Sequence, residues 1–186
     1  MSPKGRSRRG GASERNRSEG SIVVNEWAIL APPLFLDAIE RLASAAEKER
    51  AKNPKGHPGP NTRLLAHLLD LAFVTIPADP GGSQSRHGGT LGGGHRHWFR
   101  AKTGGGRYRL FYRFHSPAKV IVLAWVNDEE TLRTYGRKPD AYQVFSGMLE
   151  SGNPPDDWSH LLSSVQDPAT KKRLRKLFGR MTPPPQ

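Results

Sequence analysis

Two short stretches place guanidinium and ammonium groups at spacings of two and four residues: Arg96, Arg100 and Lys102 in one, and Arg107, Arg109 and Arg113 in the other. Side chains two apart on a strand share a face. A strand face carrying several such groups can bind phosphate oxygens and stabilise charge that develops on a phosphorane. Between Asp79 and Asp128 the chain has no acidic residue, yet it holds eight Lys or Arg and four His. A folded segment with that much unmatched positive charge repels itself, so the negative charge is expected from outside. A nucleic-acid backbone is the commonest source.

The charge is local. Of the formal +12, residues 1–20 contribute +4, 21–79 contribute −1, 80–127 contribute +8, 128–166 contribute −4 and 167–186 contribute +5. The 186 residues allow one core and little more. The absence of Cys excludes disulfides and thiolate chemistry and fits a reducing compartment. No apolar run approaches the roughly 20 residues that a membrane span needs, and no apolar stretch marks the N-terminus. The expectation is a soluble, cytoplasmic protein.

The elements that must position the basic groups follow from hydrophobic spacing. Residues 1–20 are Gly, Ser and Arg with almost nothing apolar, and read as a disordered basic arm. Such an arm either touches nucleic acid or is an inert tail. A helix is expected from Pro32, with Phe35, Ile39, Leu42 and Ala46 on one stripe. The run 52–60 ends it, and Asn61 is expected to cap a second helix carrying Leu64, Leu65, Leu68, Leu69 and Ala72, which Pro77 stops. Together these form a helical hairpin. The loop 78–95, rich in Gly, Ser and His, is long for a small domain.

Three strands are predicted next: His97–Lys102, Arg107–His115 and Lys119–Asn127. The third, reading VIVLAWV, is apolar on both faces and should be central. In the second, Tyr108, Leu110, Tyr112 and Phe114 share one face, and Arg107, Arg109, Phe111, Arg113 and His115 the other. A turn at Thr103–Gly106 would set Lys102 opposite Arg107, Arg100 opposite Arg109, Trp98 opposite Phe111 and Arg96 opposite Arg113. That register makes three like-charge pairs around one aromatic pair. Like charges facing across a sheet destabilise it unless an anion neutralises them. Cations interleaved with rings suit single-stranded RNA, which offers phosphates and stackable bases. A solvated sheet face, or one covered by an acidic partner, is the plainer reading. A helix over Asp140–Leu149, a turn at 153–158 with Trp158 packing back, and a basic helix over Lys171–Arg180 complete the chain. Internal repeats are absent.

The His cluster admits three readings. His95 and His97 form an HxH pair able to chelate, but no acid or thiolate is near in sequence. The cluster also fits a solvated polar loop. Alternatively His87 faces the site as acid or base. The expectation is no metal and no cofactor.

The strings RHGGTLG (86–92), GRYRLF (106–111), NDEETLRTYGRKPDAY (127–142) and NPPDDW (153–158), set after a helical hairpin and a long loop, resemble the YhaV family of toxins from type II toxin–antitoxin systems, within the RelE/ParE-like superfamily. The resemblance is close from Arg86 to Trp158, fainter over 26–76, and does not cover 1–20 or the tail past about 165. It implies an α+β RelE-like fold, with an N-terminal helical hairpin packed on a small, mainly antiparallel twisted sheet, followed by C-terminal helices. The implied organisation is a basic arm at 1–20, a toxin domain at 21–165, and a basic helix with a Pro-rich tail at 166–186.

The resemblance further implies a metal-independent endoribonuclease that cleaves mRNA on the ribosome and arrests translation and growth. Its implied partners are a PrlF-like antitoxin and, as a toxin–antitoxin complex, operator DNA. The YRL segment aligns a catalytic Arg with Arg109. An aromatic residue past the last strand, oriented on the scissile nucleotide, falls on Tyr135, with Arg133 the nearest match to a further Arg. In this reading the ribose 2′-OH attacks phosphorus in line, leaving a 2′,3′-cyclic phosphate and a 5′-OH. Arg109 and Arg100 stabilise the phosphorane, Lys102 or His87 moves protons, and Tyr135 stacks on the target base. Arg86, Arg96, Trp98, Arg107, Phe111, Arg113 and Arg133 complete the RNA surface. Two rival classes remain: a non-catalytic nucleic-acid or antitoxin-binding module of the same superfamily, which would keep the basic face, and a ParE-like gyrase inhibitor, although ParE-like chains lack the basic set that this hairpin carries.

Overall fold

The computed structural model describes residues 21–86, 88–128 and 140–179. Five strands form one sheet: β1 (Ile22–Val24), β2 (Trp27–Leu30), β3 (Phe99–Thr103), β4 (Tyr108–His115) and β5 (Val120–Val126), in the order β1-β2-β5-β4-β3. Among the described residues, β2 and β5 pair in parallel and the other pairings are antiparallel. As its composition predicts, β5 lies inside the sheet and is buried along its whole length. The β1–β2 ribbon was not anticipated. Its signal is short: two apolar runs separated by Asn25 and Glu26, which turn the chain with φ of 48° and 68°.

The helical hairpin forms as expected, from α1 (Pro33–Lys52) and α2 (Pro60–Asp70). Beyond Asp70 the helix widens through a π-helical stretch at Leu71–Thr75 and ends in a short turn at Ile76–Ala78. Asn61 is not the cap of α2, since the helix already begins at Pro60. Its first turn is capped instead from α1: one Glu49 oxygen accepts the Asn61 N–H at 3.1 Å, and the other accepts the Thr62 N–H at 3.0 Å.

Helices cover both faces of the sheet. The hairpin packs on the face carrying Ala101, Leu110, Tyr112, Ile121 and Leu123. The opposite face, with Trp98, Phe111, Val122, Ala124 and Trp125, is covered by α3 (Ala141–Glu150) and α4 (Trp158–Val165). Asp140 caps α3, accepting the Tyr142 N–H at 3.3 Å. Helix α4 was not expected; Trp158 does pack back as predicted, stacking on His115 at 5.3 Å. The basic α5 (Pro168–Gly179) buries Leu174, Leu177 and Phe178 in the hairpin-side core. It is tied to α1 by Arg173, which ion-pairs with Asp37 and Glu40. Among the described residues, no helix is long and apolar enough to cross a membrane.

Candidate active site

The β3–β4 turn sets the site's register. Gly104, Gly105 and Gly106 all take positive φ, at 58°, 66° and 83°, which only glycine adopts freely. They move the four-residue loop one position downstream of the predicted one, to 104–107. Thr103 therefore pairs with Tyr108, Lys102 with Arg109, and Arg100 with Phe111. The expected pairs Lys102–Arg107, Arg100–Arg109, Trp98–Phe111 and Arg96–Arg113 do not form. A two-residue change in partner preserves faces, so Arg100, Lys102, Arg109 and Phe111 still share one side of the sheet. One like-charge pair, Lys102–Arg109, replaces three.

Two layers of cations result. Lys102 and Arg107 are exposed. Arg100 and Arg109 lie beneath them, at 9% and 2% exposure. Tyr142 of α3 meets both. Its hydroxyl accepts the Arg100 Nε–H at 2.7 Å, and the Arg109 guanidinium sits over its ring, 5.3 Å from the centroid. Arg100 also donates from Nη1 to the Gln84 carbonyl at 2.7 Å, which draws the 83–86 segment onto the edge of the sheet.

Arg109 is held mainly by its backbone. Its N–H donates to Asn127 Oδ1 at 2.5 Å, while Asn127 Nδ2 donates to the Arg107 carbonyl at 3.2 Å. Among the described residues, the Arg109 side chain makes one long hydrogen bond, from Nη1 to the Arg107 carbonyl at 3.4 Å, and its buried Nε has no hydrogen-bond partner. Among the described residues, no carboxylate ion-pairs with Arg100, Lys102, Arg107 or Arg109. A buried guanidinium without a counter-charge is costly, and an incoming phosphate would relieve that cost.

The aromatic part of the predicted surface is corrected. Trp98 and Phe111 are fully buried. Phe111 stacks on Phe145 at 4.3 Å, and Trp98 meets the same ring edge-on at 5.1 Å. The coverage of this face by α3 leaves neither ring a free side on which a base could stack. Arg113 is also engaged: it lies over Trp98 and Trp158 and donates to the Asp156 backbone carbonyl. Burial draws its guanidinium pKa below the usual value, against the pull of Asp156 and Asp157. Arg96 is exposed in the turn before β3. Arg86 is exposed too and sits over Phe99, 5.4 Å from the centroid, on the face opposite Arg100. His87, Arg133 and Tyr135 lie outside the described residues, as do the basic arm and the chain past 179.

Sequence reasoning missed Asn127 and Tyr142. Asn127 ends an apolar strand, where an amide able to satisfy neighbouring backbone groups is a usable signal. Tyr142 lies on the apolar stripe of α3 and carries no signal of a polar role. Tyr112, on the hairpin side, donates to the Pro80 carbonyl at 2.8 Å, and burial pushes its pKa up to about 12, so it stays protonated near neutral pH.

The fold is thus a five-stranded α+β domain in which a buried arginine pair lies beneath exposed cations, with no carboxylate ion-paired to it among the described residues. The chain belongs to the YhaV toxin family, described as toxins with endonuclease activity of toxin–antitoxin systems, whose model matches residues 29–166. It is 43% identical over 146 residues to the ribonuclease toxin YhaV of Escherichia coli K12, covering 77% of this chain and 95% of that one. The toxin YhaV of E. coli O6:H1 matches with the same identity and coverage. No solved structure matches.

Proposed function

We propose that this chain cuts mRNA as the toxin of its toxin–antitoxin pair, using the β3–β4 cations on a single scissile phosphate. The observation that carries this reading is Arg109: buried, across the ladder from exposed Lys102, and among the described residues with no ion-paired carboxylate and no partner for its Nε. In the proposed reaction the ribose 2′-OH loses its proton and attacks the adjacent phosphorus. The P–O5′ bond breaks, leaving a 2′,3′-cyclic phosphate, and the 5′-oxygen leaves as a hydroxyl once protonated. Lys102 and Arg107 receive the flanking phosphates, and Arg109 and Arg100 stabilise the charge on the phosphorane. Proton transfer is assigned to Lys102 or His87, and base stacking to Tyr135. A PrlF-like antitoxin is the proposed inhibitor, the ribosome the proposed setting, and operator DNA a target of the complex.

The test is induced expression in a bacterial host, with RNA 5′ ends mapped minutes after induction. Wild type should arrest growth and create new mRNA 5′-OH ends. Arg109→Ala and Arg109→Lys should lose on the order of 10²–10³ in cleavage, since an ammonium does not reproduce the guanidinium fork. Lys119→Ala is the control, because Lys119 is exposed and its side chain reaches Glu26 and the Trp27 ring, away from the arginine pair. Growth arrest without new 5′ ends would refute the reading. Equal behaviour of the Arg109 and Lys119 variants would place the site elsewhere.

A further inference from the structure

The HxH pair lacks an acid near it in sequence, but the fold supplies one. His95 Nδ1 lies 3.3 Å from Asp156 Oδ2, and His97 Nε2 lies 2.7 Å from Asp156 Oδ1. One ligand atom from each residue can be chosen so that all three lie within 4.8 Å of one another. All three residues are half-buried, and none belongs to the arginine site. The bland alternative is a carboxylate that merely accepts hydrogen bonds from two imidazoles.

Three details favour a cation. Tetrahedral zinc with bonds near 2.0–2.2 Å sets neighbouring ligand atoms about 3.3 Å apart. The His95 Nδ1–Asp156 Oδ2 pair already has that separation, at 3.3 Å. Gly92, Gly93 and Gly94 immediately precede the pair and supply a compliant approach, with Gly92 at φ 83°. Finally, the Trp98 indole N–H donates to Asp156 Oδ1 at 2.6 Å. That bond orients the carboxylate and leaves Oδ2 facing His95, the arrangement in which an outer hydrogen bond holds a ligating acid. Arg113, the neighbouring cation, is directed to the Asp156 backbone carbonyl rather than to its carboxylate.

We propose that His95 Nδ1, His97 Nε2 and Asp156 Oδ2 form a binding site for a divalent transition metal, zinc being the best match to two imidazoles and a carboxylate. Water completes the coordination. The site is a staple rather than part of the reaction. It joins the turn leading into β3 to the segment leading into α4, positions 59 residues apart in sequence at the His97–Asp156 contact. Binding there would restrain the start of the strand that carries Arg100 and Lys102.

The experiment uses the full, tag-free chain stripped with chelator and titrated with zinc, read by competition calorimetry and by melting temperature. One zinc per chain is expected, with a melting temperature raised on the order of 5 °C at a hundredfold excess over Kd. His97→Ala and Asp156→Asn should each weaken zinc at least about tenfold, while His67→Ala and His160→Ala should not. Asp156→Asn keeps an oxygen for Trp98, and circular dichroism of the metal-free variants separates lost folding from lost ligation. Absence of stoichiometric binding by the wild type would overturn the proposal. So would unchanged affinity in a folded Asp156→Asn variant, which would mark adventitious binding by exposed histidines.

Discussion

The hydroxyl of Tyr142 accepts the Nε–H of Arg100 at 2.7 Å, and the same ring lies beneath the guanidinium of Arg109. One side chain of α3 therefore sets the position of two cations on neighbouring strands. Tyr142→Phe should separate these two roles: Arg109 keeps its ring, while Arg100 loses its acceptor in a buried setting. The expected stability loss is about 1–3 kcal/mol. Cleavage should fall about 10- to 100-fold through misplacement of Arg100, and kcat should suffer more than KM. A variant with wild-type cleavage would show that Arg100 is not needed in that position.

Asn127 offers a second route to the same site. It satisfies both the Arg109 N–H and the Arg107 carbonyl. Asn127→Ala leaves buried backbone groups without these partners and should cost about 1–3 kcal/mol, with a loss of cleavage that Asn127→Asp restores only partly, since a carboxylate cannot donate to Arg107. Denaturant midpoints and cleavage assays on the three proteins decide this. Full activity in both variants would remove Asn127 from any positioning role.

Core and surface on the basic face should separate cleanly. Trp98→Ala and Phe111→Ala should destabilise the fold by about 3–5 kcal/mol, because both rings are packed against Phe145. Lys102→Ala and Arg107→Ala should leave the melting temperature nearly unchanged. Each should instead lower the salt slope of RNA binding by about 0.7 for every phosphate that its cation neutralises. A stable Trp98→Ala protein with weakened RNA binding would restore the stacking surface that the burial of this ring argues against.

Glu49 gives a prediction in pH. Burial alone would raise its pKa, but the bonds from Asn61 and Thr62 outweigh it, and the folded value lies below the ordinary 4.5. A depressed acid contributes stability that is fully present above its unfolded pKa and lost as pH falls through the folded one. Glu49→Gln should therefore lower the urea midpoint at neutral pH, and the gap from wild type should close as pH drops below 4.5. A gap that stays constant through that window would mean that the charge is not what caps α2.

Much of this architecture is written in local patterns. The stripe Phe35–Ile39–Leu42–Ala46 marks α1, the all-apolar run 120–126 marks the interior strand, and alternation in β4 assigns its faces correctly. What escaped depends on distant partners. Nothing near Trp98 or Phe111 indicates that α3 will cover them, so a buried layer reads as an open platform. The β3–β4 register turned on which of several glycines would take positive φ, and composition does not rank them. Asp156 lies far in sequence from His95 and His97, so an HxH pair without an acid and one with an acid look alike until the chain is folded. That Arg100 and Arg109 share one face of the sheet, by contrast, was legible from spacing, because a shift of two in pairing does not turn a strand over.

The parallel contact between β2 and β5 has a consequence for how the molecule comes together. Ile29 pairs with Ile121, about 90 residues later, whereas β3, β4 and β5 meet through short turns. Closing so long a loop costs chain entropy before any contact rewards it. The meander that carries Arg100 and Arg109 is therefore expected to assemble early, with the N-terminal ribbon docking last. Substitutions at Ile29 should speed unfolding and leave the folding rate nearly untouched, while those at Leu110 should slow folding. Chevron measurements that reversed this order would show the N-terminal ribbon to be part of the nucleus. In the expected order, the arginine hairpin takes shape well before the last edge of the sheet is in place.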